Sequence, residues 1–159
     1  MKKTYLKLLV ASVLLVGGTS FITSCSDNDN DSPEVVIGIK DLPSEAQSFL
    51  NTYFPNIEAS KIEQQSISDI TMYKVELANG YEVEFDSQGV WQEVSAPDNM
   101  TIPSGIAPEN IEEYVNTNYS DYGINEINKT GAGYNVEVNG GVRLTFNQLG
   151  ECTGTYQDL

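Results

Sequence analysis

Carboxylates are the chemistry this chain carries in quantity. Its 159 residues hold 23 Asp and Glu against eight Lys and Arg, with no His. A pair of acids can cleave a glycosidic bond, but one of them needs a raised pKa in a partly buried cleft. Glu76, Glu82 and Glu84 instead alternate with apolar residues. That spacing puts them on the wet side of strands, where a shift has little cause. The absence of His removes the commonest metal ligand and general base. Two cysteines, Cys25 and Cys152, build neither a disulfide framework nor a four-thiolate zinc site. Cys152 has no His to activate it and reads as a buried thiol. Asp27, Asp29 and Asp31 alternate as calcium ligands do. An EF-hand loop opened at Asp27 needs Gly sixth and Glu twelfth, where this chain has Ser32 and Gly38. A net charge of −15 and a single Arg argue against nucleic acid, whose phosphates demand basic side chains. Glycines without a phosphate-loop pattern argue against nucleotide. The expectation is a protein with no catalytic residues, no metal and no cofactor.

Cys25 carries the one legible chemical instruction. Lys2, Lys3 and Lys7 precede an apolar run, Leu8 to Val16, too short to span a bilayer but suited to a secretory signal. The run leads to Ile22-Thr23-Ser24-Cys25. This is similar to the bacterial lipoprotein signal, which implies cleavage before Cys25 and lipid on its sulfur and new amino group. More than one acyl chain makes such anchoring stable without a transmembrane helix. The signal takes three lysines with it and leaves Lys40, Lys61, Lys74, Lys129 and Arg143 against all 23 acids. Ser26 to Pro33 is polar, acidic and ends in Pro, as a solvated tether does. An acidic stretch just after a lipidated Cys also resembles the surface-export tract of some Gram-negative lipoproteins. The expected location is the bacterial outer membrane, facing periplasm or surface.

The elements that position the remaining acids read as one unit written twice. With Pro43 set against Pro108, Phe49-Leu50-Asn51-Thr52-Tyr53-Phe54 falls on Tyr114-Val115-Asn116-Thr117-Asn118-Tyr119. Further on, Tyr73-Lys74-Val75-Glu76-Leu77 meets Tyr134-Asn135-Val136-Glu137-Val138, and Phe85 meets Phe146. Each copy opens with a helix behind a Pro whose apolar residues recur at helical spacing; Pro55 stops the first. Strands follow, with Tyr73, Val75, Leu77 and then Tyr81, Val83, Phe85 facing inward, and Tyr134, Val136, Val138 with Val142, Leu144, Phe146 in the second copy. A two-residue Asn79-Gly80 turn would put Leu77 on the acidic face. A three-residue loop, Ala78-Asn79-Gly80, pairs Leu77 with Tyr81 and keeps the faces pure, with Gly80 in a G1 bulge. Asn139-Gly140-Gly141 repeats it. The same rule at Ser87-Gln88-Gly89 pairs Phe85 with Trp91, buries Trp91, turns Val90 and Val94 outward, and buries Cys152 opposite Phe146. Strands near 60–66 and 124–129 should pair with the Tyr73 and Tyr134 strands. The predicted class is α+β: a tandem repeat of helix plus about four antiparallel strands, both helices on one face of the sheet. The segments are 1–24 signal peptide, 25–38 acidic tether, 39–97 first repeat and 98–159 second, divergent repeat.

The segment from Tyr73 to Trp91, behind Leu42-Pro43 and the Phe49 helix, resembles the PepSY-like, β-lactamase-inhibitor-like domain family of secreted bacterial proteins. The resemblance covers nearly all of residues 40–157 and rests mostly on hairpin and core residues. It implies no catalytic residues and no cofactor. By fold it is similar to β-lactamase inhibitory protein, whose tandem units clasp an enzyme with a concave sheet. This chain lacks that inhibitor's disulfides and any matching inhibitory loop.

The candidate binding surface is the polar face of the sheet: Lys74, Glu76, Glu82 and Glu84 in the first copy, and Asn135, Glu137, Arg143 and Thr145 in the second. Its expected occupant is a basic protein partner, drawn in electrostatically. The chain is thus expected to be a lipid-anchored, non-catalytic, protein-binding or inhibitor-like envelope module. One alternative is a structural or accessory lipoprotein of an envelope complex. Another is a carbohydrate-binding module, which would need Tyr53, Tyr119, Tyr122 or Trp91 exposed in one plane.

Overall fold

The computed structural model describes residues 34–67 and 70–157. Two prolines set the helices. Pro43 (φ −52°) precedes α1, Ser44–Tyr53, and Pro108 (φ −52°) precedes α2, Glu109–Asn118. A proline at this boundary forfeits no intrahelical bond. α1 closes where the Phe54 N–H donates to the Leu50 carbonyl (2.9 Å), and Pro55 can neither donate nor continue the helix. Ahead of α1 come β1, Val35–Val36, and a single 3-10 turn, Ile39–Asp41. Strands β2 (Ala59–Ile67), β3 (Ile70–Leu77), β4 (Glu82–Asp86) and β5 (Trp91–Ser95) lie between the helices. β6 (Ile124–Thr130), β7 (Gly133–Val138), β8 (Val142–Asn147) and β9 (Cys152–Gln157) follow α2.

The nine strands among the described residues form one antiparallel sheet in sequence order, β1 through β9. This corrects the expected α+β class of two helix-plus-four-strand units. The molecule is mostly β, with α-helix confined to two ten-residue segments among the described residues. The pairing of β5 with β6 (Glu93↔Asn128, Val94↔Ile127, Ser95↔Glu126) joins all the strands into one hydrogen-bonded layer, and β1 adds a strand that no such unit contains. Val35 and Val36 lie within the 25–38 stretch read as tether, yet they pair with Gln64 and Glu63 of β2.

One row of aliphatic side chains crosses seven strands in register: Ile62, Val75, Val83, Val94, Ile127, Val136 and Leu144. Every one is buried. At roughly 1.5–3 kcal/mol for each buried aliphatic side chain, this row is the spine of the core. The helices lie on it through aromatic edges: Phe49 meets Phe85 at 5.6 Å and Tyr114 meets Phe146 at 5.4 Å, both T-shaped.

The hairpins follow from register. Leu77 N–H donates to the Tyr81 carbonyl and Gly80 N–H to the Leu77 carbonyl, both at 2.8 Å. Gly80 has φ +87°, a left-handed conformation that glycine adopts without steric cost. Phe85 pairs with Trp91 and Phe146 with Cys152, as the loop rule expects. The outward reading of Val94 is corrected, since its exposure is 0%. A bulge between Trp91 and Glu93 slips the register by one residue, so Trp91 and Val94 both reach the apolar face. Trp91 and Cys152 pack against the core but stay partly exposed.

The chain from β5 to α2 is pinned rather than loose. The Asn125 amide donates to the carbonyls of Ala96, Pro97 and Met100. Tyr81 Oη donates to the Thr101 carbonyl and Tyr53 Oη to that of Gly105, each at 2.9 Å. Ile102, Ile106 and Ala107 are buried in between.

Candidate functional site

The sheet face opposite the helices is largely polar because the strands between and after the helices alternate. Two rows cross it in register. One runs Lys61, Glu76, Glu82, Ser95, Glu126, Glu137, Arg143, Tyr156. The other runs Val36, Glu63, Lys74, Glu84, Glu93, Asn128, Asn135, Thr145, Gly154. All eight residues chosen from sequence for this face therefore share it: Lys74, Glu76, Glu82 and Glu84 on β3 and β4, and Asn135, Glu137, Arg143 and Thr145 on β7 and β8.

The rows set glutamates directly opposite one another at three places: Glu76↔Glu82, Glu84↔Glu93 and Glu126↔Glu137. Like charges opposite each other are destabilising, by about 0.2–1 kcal/mol. Three bases sit among them. Lys74 Nζ lies 2.8 Å from Glu82, Lys61 Nζ 2.5 Å from Glu63, and Arg143 Nε 3.3 Å from Glu137.

The protonation behaviour follows from this crowding. Burial holds the Glu84 carboxyl above its ordinary value; Glu82 adds to the effect and Lys74 opposes it. Burial pulls Lys74 down, but its hydrogen bond to Glu82 and the charges of Glu82, Glu84 and Glu76 outweigh that and raise it. The hydrogen bond to Glu63 raises Lys61. Glu34 is raised by desolvation and by Glu63, and accepts a hydrogen bond from the Gln65 amide at 2.9 Å.

Sequence reasoning missed Glu63, Glu93 and Glu126. Glu63 is only 7% exposed, because β1 lays Val36 beside it. The two-residue β1 has no alternation to read, so nothing in the sequence flags that burial. Glu93 was obscured by the bulge at Trp91. Glu126 follows from simple alternation with Ile124 and Ile127 only after another register slip, between Ile124 and Glu126.

The aromatics weighed for sugar binding do not gather on this face. Tyr53, Tyr119 and Trp91 pack against the core. Lys129 Nζ sits 3.9 Å over the Trp91 ring, its pKa lowered by burial and supported by Asp86. Tyr122 is 48% exposed in the segment before β6. Cys25, the expected lipidation site, lies outside the described residues. Among the described residues no helix is long and apolar enough to cross a membrane. Nor does any group of three His, Cys, Asp or Glu side chains there have the makings of a metal site.

A family model described as "Putative beta-lactamase-inhibitor-like, PepSY-like" matches residues 71–153, just over half the chain. The chain belongs to that family. Solved structures agree over a longer span. A protein of the DUF2874 family from Bacteroides vulgatus, described as a putative periplasmic protein, superposes with a TM-score of 0.74 at 27% identity, covering 78% of this chain and 97% of its own. A second Bacteroides vulgatus protein, also described as putative periplasmic and of unknown function, gives 0.74 at 28% identity, covering 79% and 100%. A third, from Bacteroides thetaiotaomicron and described as a putative calcium-regulated periplasmic protein, gives 0.74 at 27%, covering 78% and 97%. No curated protein matches the chain. The family is described as inhibitor-like rather than as a group of enzymes, and the structural neighbours as periplasmic.

Proposed function

We propose that the chain is a non-catalytic module of the bacterial envelope, lipid-anchored through Cys25, that docks a basic protein partner on its open sheet face. The observation that carries this is the set of three in-register glutamate pairs. A sheet that only needed to fold would gain by breaking them with Lys or Thr. A face that receives Lys and Arg from a partner is improved by keeping them, since their negative potential complements a basic surface. The periplasmic description of the neighbours supports the compartment, and the inhibitor-like family supports a binding role.

The test is capture of envelope proteins by the full chain, beside a variant with Glu84, Glu93, Glu126 and Glu137 changed to Gln. The expected result is a basic partner held by the native chain, lost from the variant, and associating several-fold more slowly as salt rises from about 50 to 500 mM. A partner held equally by both, at a salt-independent rate, would overturn the docking face. It would favour the accessory role in an envelope complex instead.

A further inference from the structure

The two edges of the sheet are built differently. At one edge β1 is only two residues long and directly follows Pro33 and Glu34. A short strand behind a proline is a guarded edge. At the other edge β9, Cys152-Thr-Gly-Thr-Tyr-Gln157, has β8 as its one neighbour among the described residues. It contains no Lys, Arg, Asp, Glu or Pro, in a chain with 23 acids. Its one irregularity, a bulge at Cys152–Gly154, lies at its start and leaves Gly154 to Gln157 in regular register. Residues 153 and 155–157 are exposed, Tyr156 at 63%.

We infer that β9 is a pairing edge for a second copy of this chain. An acidic partner strand would gain nothing specific here, and a basic one belongs on the open face. An identical strand brings an equally uncharged edge. A two-fold axis perpendicular to the sheet keeps both sets of helices on one side, so residues of the same face must meet. Centring the axis on Thr155 does this. Thr155 meets Thr155 of the second copy. Gly154 meets Tyr156 twice, each aromatic covering a glycine across the strand boundary. No charged side chain opposes another in that register. The two open faces then form one continuous acidic surface.

The experiment uses the full chain in detergent, with protein mass separated from detergent mass by combined light scattering and absorbance. A dimer is expected, tightening as salt rises because two acidic bodies repel less. That response is opposite to the one expected for partner docking on the open face, so the two readings fail independently. Thr155→Lys should weaken the dimer about tenfold or more, and mixing it with Thr155→Glu should restore a mixed dimer. Thr155→Cys should give a disulfide-linked dimer on mild oxidation, since directly opposed residues lie within bridging distance; Ser87→Cys should not. A native chain that is monomeric at high concentration, or a dimer indifferent to Thr155→Lys with no Thr155→Cys cross-link, overturns the inference.

Discussion

Glu84 shows what one side chain on the open face costs. Its carboxyl is raised by burial and by Glu82, and it faces Glu93 across the strand. A folded-state pKa above the unfolded one means that the native state holds its proton to higher pH. Stability from this group therefore falls as pH rises from below 4.5 through the raised value, and stays low at neutrality. Glu84→Gln should raise the melting temperature at pH 7 by a few degrees, an effect of about 0.5–1 kcal/mol. The gain should vanish near pH 4, where the native carboxyl is already neutral. Melting curves of both proteins from pH 4 to 8 check this; a gain that grew on acidification would contradict the sign. On the other face, Phe85 is fully buried against Phe49. Phe85→Ala should cost about 3–5 kcal/mol in urea unfolding.

At the scale of elements, the turns discriminate between two similar glycines. Gly89 and Gly141 both have positive φ, +83° and +80°. A Cβ on Gly89 would lie 2.7 Å from the Ala46 nitrogen and 2.8 Å from the Pro43 Cβ, whereas one on Gly141 meets nothing within 4 Å. Gly141→Ala should cost about 1 kcal/mol, the strain of a left-handed residue. Gly89→Ala should cost clearly more, because the start of α1 must move; paired urea unfolding curves compare them. Much at this scale was legible in the residues. The loop at Ala78-Asn79-Gly80 follows from keeping Leu77 and Glu82 on opposite faces, and the helix starts follow from Pro43 and Pro108. Position 94 was not legible, because a bulge moves a side chain across the sheet without changing the local composition. Nor was the class, because strand pairing between Val94 and Ile127 joins residues that no local pattern connects. The eight face residues read from sequence were found by alternation alone. Glu63 and Glu93 needed the register of β1 and β5.

The whole molecule carries a net charge of −15, and on the polar face of its sheet glutamates outnumber bases. Self-repulsion of that kind weakens the compact state and is screened by salt. Melting temperature should therefore rise with sodium chloride between about 20 and 500 mM, while association with a basic partner slows over the same range. Scanning calorimetry and association kinetics on one sample would show the opposite signs; a melting temperature falling with salt would mean that the Lys61, Lys74 and Arg143 bridges dominate. The edge strand β1 has a mechanical consequence. It is held by two register pairs and by the Ile37 N–H to the Ile62 carbonyl at 3.0 Å. A steady pull through the residues ahead of Glu34 would load these bonds one after another, as a zip is opened, and not together. β1 would then peel away under a small force and act as a fuse. The strands behind it would stay assembled, with Glu63 newly in water and the outer edge of β2 laid bare.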